Sequence, residues 1–317
     1  MTYDCIIVGG GIAGLQAAIQ LGRYSAHRVL VINSGRGRSG LCRSYHNLLG
    51  WPDGVSGGEL RRMGRNQAEG YGVEFIEDKV IGAKREGEHL RLTGNSGAAY
   101  SCKTLLLATG VMDRFPPLPG LEVTLGRSVY VCPDCDGYEI EGRNTVVLGA
   151  GDAGAAMAFI LRDRTEQLTY INHERTPISP ENLQRLEEQQ IRLIETPIIA
   201  IEEQNDGMIE AVRLADGQSL AVERGFIAFG GNPVHSELAD QLGAKLHHNR
   251  HVEANPRSMM TSVENVWVAG DLGVHAEQAT VAMGEGAIAA IWIHKTLKQW
   301  KNRPAWRGPG YRTSDDS

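Results

Sequence analysis

Residues 3–24 read YDCIIVGGGIAGLQAAIQLGRY, and the change of period inside this stretch decides the fold. A short apolar run, Tyr3 to Val8, suits a buried strand; glycines then break it, and Ala, Leu and Ile recur at helical spacing through Leu21. Gly9, Gly11 and Gly14, with Ala13 among them, satisfy G-x-G-x-x-G. Gly9 permits the tight strand-to-helix turn, Gly11 lets backbone approach a pyrophosphate, and Gly14 lets helix and strand pack closely. The anion would sit at the helix N-terminus, where unpaired N–H groups and the helix dipole favour negative charge. The next strand-like run, HRVLVIN, ends where such sites usually carry an acid for the ribose hydroxyls. Here Asn33 and Ser34 stand instead, both able to hydrogen-bond a ribose.

The pattern repeats in mid-chain. NTVVLGAGDAGAAMAFILRD presents a second apolar run, then Gly149, Gly151 and Gly154 around Asp152 and Ala153, then an alanine-rich helix. One such fingerprint is a weak signal, but two, each between strand and helix, predict two mononucleotide-binding units in one chain. Such a chain can bring a flavin and a second redox cofactor together. After the next strand, LTYINHERTPIS offers Glu174, which suits the free 2′-hydroxyl of NADH, and Arg175, which suits a 2′-phosphate.

Between the fingerprints lies VCPDCDGYEI, residues 131–140. Three readings are open for Cys132 and Cys135: half of a zinc site, inert thiols, or a disulfide that opens and closes. Structural zinc needs four ligands, and Cys5, Cys42 and Cys102 are isolated, so no metal is expected. A proline-containing CxxC at a turn holds two sulfurs within reach and lowers a thiol pKa, which favours reversible disulfide chemistry.

Composition narrows the partners. The 317 residues are 42% hydrophobic and 22% charged, as in a soluble globular chain, with 39 glycines. A net charge of -6 and 6% aromatics argue against nucleic acid, which needs clustered cations or stacking platforms. The richest apolar run, GAIAAIWI, is too short to span a bilayer, and the N-terminus lacks a leader pattern, so a cytoplasmic setting away from membranes is expected. The tail QWKNRPAWRGPGYRTSDDS is polar and Pro/Gly-rich; Trp300 and Trp306 are candidates to cap a dimer or cofactor site.

Taken together, these motifs resemble the low-molecular-weight thioredoxin reductase family of FAD-containing disulfide oxidoreductases. VGGGIAGLQAA looks like its FAD pyrophosphate loop, LLLATG its crossover strand with Ala108, Thr109 and Gly110, VCPDCDG its CATCDG, and GAGDAG its GGGDSA. NVWVAGDL…EQATVAMGEGAIAA resembles the second FAD motif. The resemblance implies an α/β chain of two Rossmann-like, three-layer ββα nucleotide-binding domains. The FAD domain would comprise residues 1–115 and 232–317, with residues 116–231 inserted as an NAD(P)-type domain carrying the cysteine pair. Proline-rich MDRFPPLPG and FGGNPVHSE punctuate the two crossings independently. Gly270 and Asp271 would hold the flavin's ribityl chain, Gln278 and Ala279 would lie near its ring, and Asn47 joins the cofactor set. Cys135 would face the flavin, Cys132 would attack a partner disulfide, and Asp136 would carry the proton. The partner would be a thioredoxin-like protein, and the family is dimeric.

The chain departs from the NADPH reductases at HERTPIS, where Glu174 and Ser179 replace two arginines of HRRxxxR. Losing two charge-assisted contacts removes ~2–4 kcal/mol from NADPH binding, so NAD(P)H is expected without a preference for NADPH. VINSGRGRS, GRSVYVCPDCDGYEIEGR and AGDLGVHAEQ resemble a sibling group of dithiol oxidases, in which a CPxC pair oxidises a small dithiol and oxygen accepts the electrons; His275 would then be a base near the disulfide. A ferredoxin-fed reductase is a third option. Glutathione-reductase-type placement of the disulfide is excluded, because SGLCRSYHNLLGW supplies only Cys42, read as a small buried hydrophobe, with proximity to the flavin, from the loop after the second strand, as the other option.

Overall fold

A computed structural model of the chain describes residues 2–35, 37–204 and 206–300; residues 301–317, with Trp306, lie outside the described residues. The opening run forms β1 (Thr2–Val8), and the helical repeat forms α1 (Ile12–Arg23). There follow β2 (Val29–Asn33), α2 (Gly57–Glu69), β3 (Glu74–Glu77), β4 (Val80–Glu86), β5 (His89–Gly94) and β6 (Ala99–Leu107). Ser56 starts α2 by accepting the Glu59 N–H, which satisfies an otherwise orphaned helix donor. β1 pairs in parallel with β2 and β6, while β4, β5 and β6 form an antiparallel meander.

The middle of the chain builds α3 (Leu121–Thr124), β7 (Val129–Tyr130), α4 (Pro133–Asp136), β8 (Thr145–Gly149), α5 (Gly151–Leu161), β9 (Leu168–Asn172), α6 (Pro180–Glu188) and β10 (Arg192–Ile194). A three-stranded sheet, β11 (Ile198–Gln204), β12 (Met208–Leu214) and β13 (Ser219–Ala221), precedes β14 (Arg224–Ala228). The second main sheet is wholly parallel in the order β10-β9-β8-β14-β7. The chain then returns to the first sheet through α7 (Glu237–Gln241), β15 (Val266–Val268) and α8 (Ala279–Trp300), with β15 parallel to β6. The first sheet is therefore made from both ends of the chain.

Parallel strands covered on both faces need apolar residues on both faces. Ile6, Val8, Leu105 and Leu107 pack on one side of the first sheet; Cys5, Ile7, Leu106 and fully buried Trp267 pack on the other, under α1 and α8. The two helices approach closely because Gly286 has no side chain: a methyl there would lie 2.3 Å from the Ala13 carbonyl oxygen. The two crossings run side by side, Val111 bridging Val234 and Met112 N–H donating to Pro233. Trp300 ends α8 with its ring near His89. Among the described residues, no helix is long and apolar enough to cross a membrane.

Candidate active site

The two fingerprints fold alike and end differently. A methyl on Gly9 (φ +112°) would strike the Ala108 carbonyl oxygen at 2.2 Å, and one on Gly14 the Gly9 carbonyl oxygen at 1.9 Å, so both positions demand glycine for packing. Gly11 faces open space, with nothing within 4 Å of a methyl placed there. That bare backbone heads a cavity of about 900 Å³, toward the upper end of the ~300–1,000 Å³ typical of small-molecule sites. In the second fingerprint, Gly149 and Gly154 are again tight, against Ala228 O (2.6 Å) and the Tyr170 ring (2.3 Å). Gly151 differs from Gly11, because a methyl there would meet Thr176 Cγ2 at 2.8 Å and Pro177 O at 3.2 Å. The chain itself covers the second cradle.

Most of the residues singled out in the sequence converge on the large cavity. Its wall includes Gly9, Gly11, Ala13, Asn33, Ser34, Asn47, Ala108, Thr109, Gly110, Gly270, Asp271, Gln278 and Ala279, and also Cys132, Cys135 and Asp136. Asn33 turns its Oδ1 to the Gly10 N–H (3.1 Å) and donates to the Gly35 carbonyl, bracing the glycine loop. Asn172 braces the second loop in the same way, through the Gly151 N–H at 3.0 Å. Cys132 and Cys135 are disulfide-bonded, their Cα atoms 5.3 Å apart. Cys132 caps the four-residue α4, accepting the Cys135 N–H at Sγ (3.1 Å), with Pro133 in the first turn. Burial, with a smaller push from Glu139, raises the Asp136 carboxyl from 3.8 to about 7, poised to hold or release a proton near neutrality.

His275 is not in that wall. It pairs with Glu285 of α8 at 2.8 Å and its Nδ1 contacts the Ala276 carbonyl; the Glu285 hydrogen bond, against an opposing burial effect, raises it to about 9. The second-fingerprint residues also stand apart. Asp152 accepts from Ser179 N–H and Oγ and from Asn182 Nδ2 (2.8–3.0 Å). Glu174 forms a two-pronged pair with Arg114 (2.8 and 3.0 Å), and Arg175 donates to the Glu195 carbonyl. Gly230 brings the other crossing against Ala153.

Several wall residues escaped the sequence reading. Arg38 bonds Asp113 twice (2.8 and 2.9 Å), Asp271 at 3.2 Å, and Glu277. Burial works against the Arg38 charge, and Asp113, Glu277 and Asp271 more than offset it; burial in turn pushes the Asp271 carboxyl up, opposed by Arg38. Nothing local in GRGRSG marks Arg38 as the hub. Cys42, for which the sequence left both a buried-hydrophobe and a cofactor-side reading, lines the cavity, its thiol pushed up to about 12 by burial and then by Asp136. Cys5 is fully buried and likewise raised to about 12 by desolvation, as expected of an inert thiol.

The glycine loop of the first fingerprint and a two-cysteine disulfide thus share the wall of one cavity. The model of the pyridine nucleotide-disulphide oxidoreductase family matches residues 3–286, and the chain belongs to that family. It is 30% identical to the thioredoxin reductase of Aquifex aeolicus strain VF5, over 96% of this chain and 97% of the relative. The crystal structure of thioredoxin reductase from Streptococcus pyogenes MGAS5005 superposes with a TM-score of 0.83 at 26% identity, covering 94% of this chain and 99% of that one. The crystal structure of HlmI gives a TM-score of 0.84 at 27% identity, covering 95% and 94%. The α/β architecture is the thioredoxin reductase fold.

Proposed function

We propose that this enzyme binds FAD in the 900 Å³ cavity and passes two electrons from NAD(P)H, by way of the flavin, to the Cys132–Cys135 pair, which in turn reduces the disulfide of a thioredoxin-like protein. The observation that carries this reading is the shared wall: both cysteines and Asp136 line the same cavity as the Gly9–Gly11 loop and Gly270–Ala279. The open space at Gly11 and the N-terminus of the 22-residue α8 fit an anionic dinucleotide there. FAD, when bound, would supply two-electron exchange with the disulfide in the same wall.

The chain's own residues supply the rest. Two electrons and two protons convert the disulfide to two thiols, and Asp136, half-ionised near pH 7, delivers or accepts a proton at the cysteine sulfur. The Cys132 thiolate attacks one sulfur of the partner disulfide, forming a mixed disulfide and expelling the other partner thiolate, which takes a proton. Cys135 then displaces the partner from Cys132 and regenerates the internal bond. These roles follow the family resemblance, as do the domain limits 1–115 with 232–317 and 116–231, and a homodimer, which sedimentation tests. Anaerobic titration with reduced thioredoxin or dithiothreitol, following flavin absorbance, tests the relay. Bleaching that completes at two equivalents of dithiol, one for the disulfide and one for the flavin, supports it; a colourless protein that refuses added FAD sinks it.

A second reading draws on one observation, the covered Gly151 cradle. In it a small dithiol gives up two electrons and two protons, closing to its disulfide, and dioxygen accepts both as hydrogen peroxide. Peroxide formation in air with dithiol alone, and no thioredoxin turnover, would select it.

A further inference from the structure

In doubly wound sheets a dinucleotide lies across the carboxyl ends of the strands, at the point where strand order reverses. In the second sheet that point is the end of β8, flanked by β9 and β14. One side chain crosses it. Arg114, from the first crossing, donates to the carbonyls of Phe229 (2.7 Å) and Gly230 (2.8 Å) just after β14, and reaches Glu174 just after β9 with both terminal nitrogens. Its backbone N–H is fixed to Asn232 Oδ1 at 2.9 Å. On the same crevice, and independently, Thr176 and Pro177 cover Gly151, the one fingerprint position whose counterpart Gly11 is bare. Asp152 pins the covering loop by accepting from Ser179 and Asn182.

We infer that Arg114 is a strap across the second crevice, and that a pyridine nucleotide enters only when the Arg114–Glu174 pair opens. Arg114 engages both oxygens of Glu174, so strap and nucleotide compete for the same carboxylate. The arrangement that brings the disulfide to the flavin cavity is thereby closed to nucleotide, and apparent affinity is lowered by the fraction of molecules with the strap released. Once freed, Glu174 accepts from the two ribose hydroxyls of NADH and repels the 2′-phosphate of NADPH.

The inference rests on the flavin–disulfide reading only for the meaning of the closed arrangement; its test is equilibrium binding. NADH and NADPH are titrated calorimetrically into the oxidised FAD-loaded protein, as wild type, Arg114→Met and Glu174→Gln. Arg114→Met should bind NADH at least tenfold more tightly than wild type, with NADPH gaining less. Glu174→Gln should release the strap but gain less for NADH, having lost the ribose acceptor's charge. Wild type and Arg114→Met binding NADH equally, or both failing to bind it, overturns the strap; an equal gain for NADPH overturns the role of Glu174. Retained flavin colour reports folding of each variant, and should Arg114→Met fail to fold, Arg114→Gln takes its place under the same criteria. Failure of dithiol to bleach the wild-type flavin would strike the relay and leave the binding comparison standing.

Discussion

Replacing Asp136 by Asn should slow the enzyme and stabilise it, and the stabilisation should depend on pH in a defined way. The folded chain holds this carboxyl at about 7 against 3.8 for an ordinary Asp, chiefly because burial disfavours its charge. Between those values the native state binds the proton that the unfolded state has lost, so wild-type stability falls as pH rises from about 4 through 7 and then levels. At 1.36 kcal/mol per pH unit the full shift caps the penalty at about 4 kcal/mol, and residual solvent access makes about 2 kcal/mol a working figure. Asn cannot ionise and carries no such penalty. In urea unfolding of the oxidised, FAD-loaded protein, the variant's advantage should grow by about 1–3 kcal/mol from pH 5 to pH 8 and then stay flat. Turnover with a disulfide substrate should drop by about 10²-fold or more and lose its limb near pH 7. A difference in stability constant across pH 5 to 8, or a wild type more stable than the variant at pH 8, would refute the assignment of a buried, proton-holding carboxyl.

Cys135→Ser should abolish disulfide turnover while the protein keeps its flavin and its fold; surviving turnover, measured with thioredoxin and insulin, would put the flavin-facing role elsewhere. Gly14→Ala sets helix propensity, worth about 1 kcal/mol in favour of Ala, against a carbonyl oxygen 1.9 Å from the new methyl. The clash should win by about 1–3 kcal/mol of net destabilisation, read from denaturant midpoints. Gly11→Leu, by contrast, points into open space; it should leave the apoprotein's unfolding midpoint within ~0.5 kcal/mol of wild type and abolish FAD uptake. His275→Gln tests the ion pair with Glu285. With the imidazole raised to about 9, its contribution is fully present below about 6.5 and disappears as pH rises through 9. The variant's deficit in thermal unfolding should therefore be largest near pH 6 and vanish by pH 10.

What the sequence determined by itself is what short stretches of backbone must do. The switch from a buried run to helical spacing around Gly9, Gly11 and Gly14, and its repetition at Gly149, Gly151 and Gly154, specified two strand–turn–helix units because the demand for glycine there is local. The sulfur pair and its neighbouring Asp136 were legible for the same reason, since CPDCD folds into one short capped turn. Tertiary structure decided which groups these units face. Arg38 meets its carboxylates 75, 233 and 239 residues away, and Arg114 meets Glu174 across 60, distances that no spacing rule spans. Most telling are Gly11 and Gly151, equivalent in pattern, one bare and one covered. A glycine's missing side chain permits close approach, but only the folding of distant segments determines whether a ligand or the chain itself comes near.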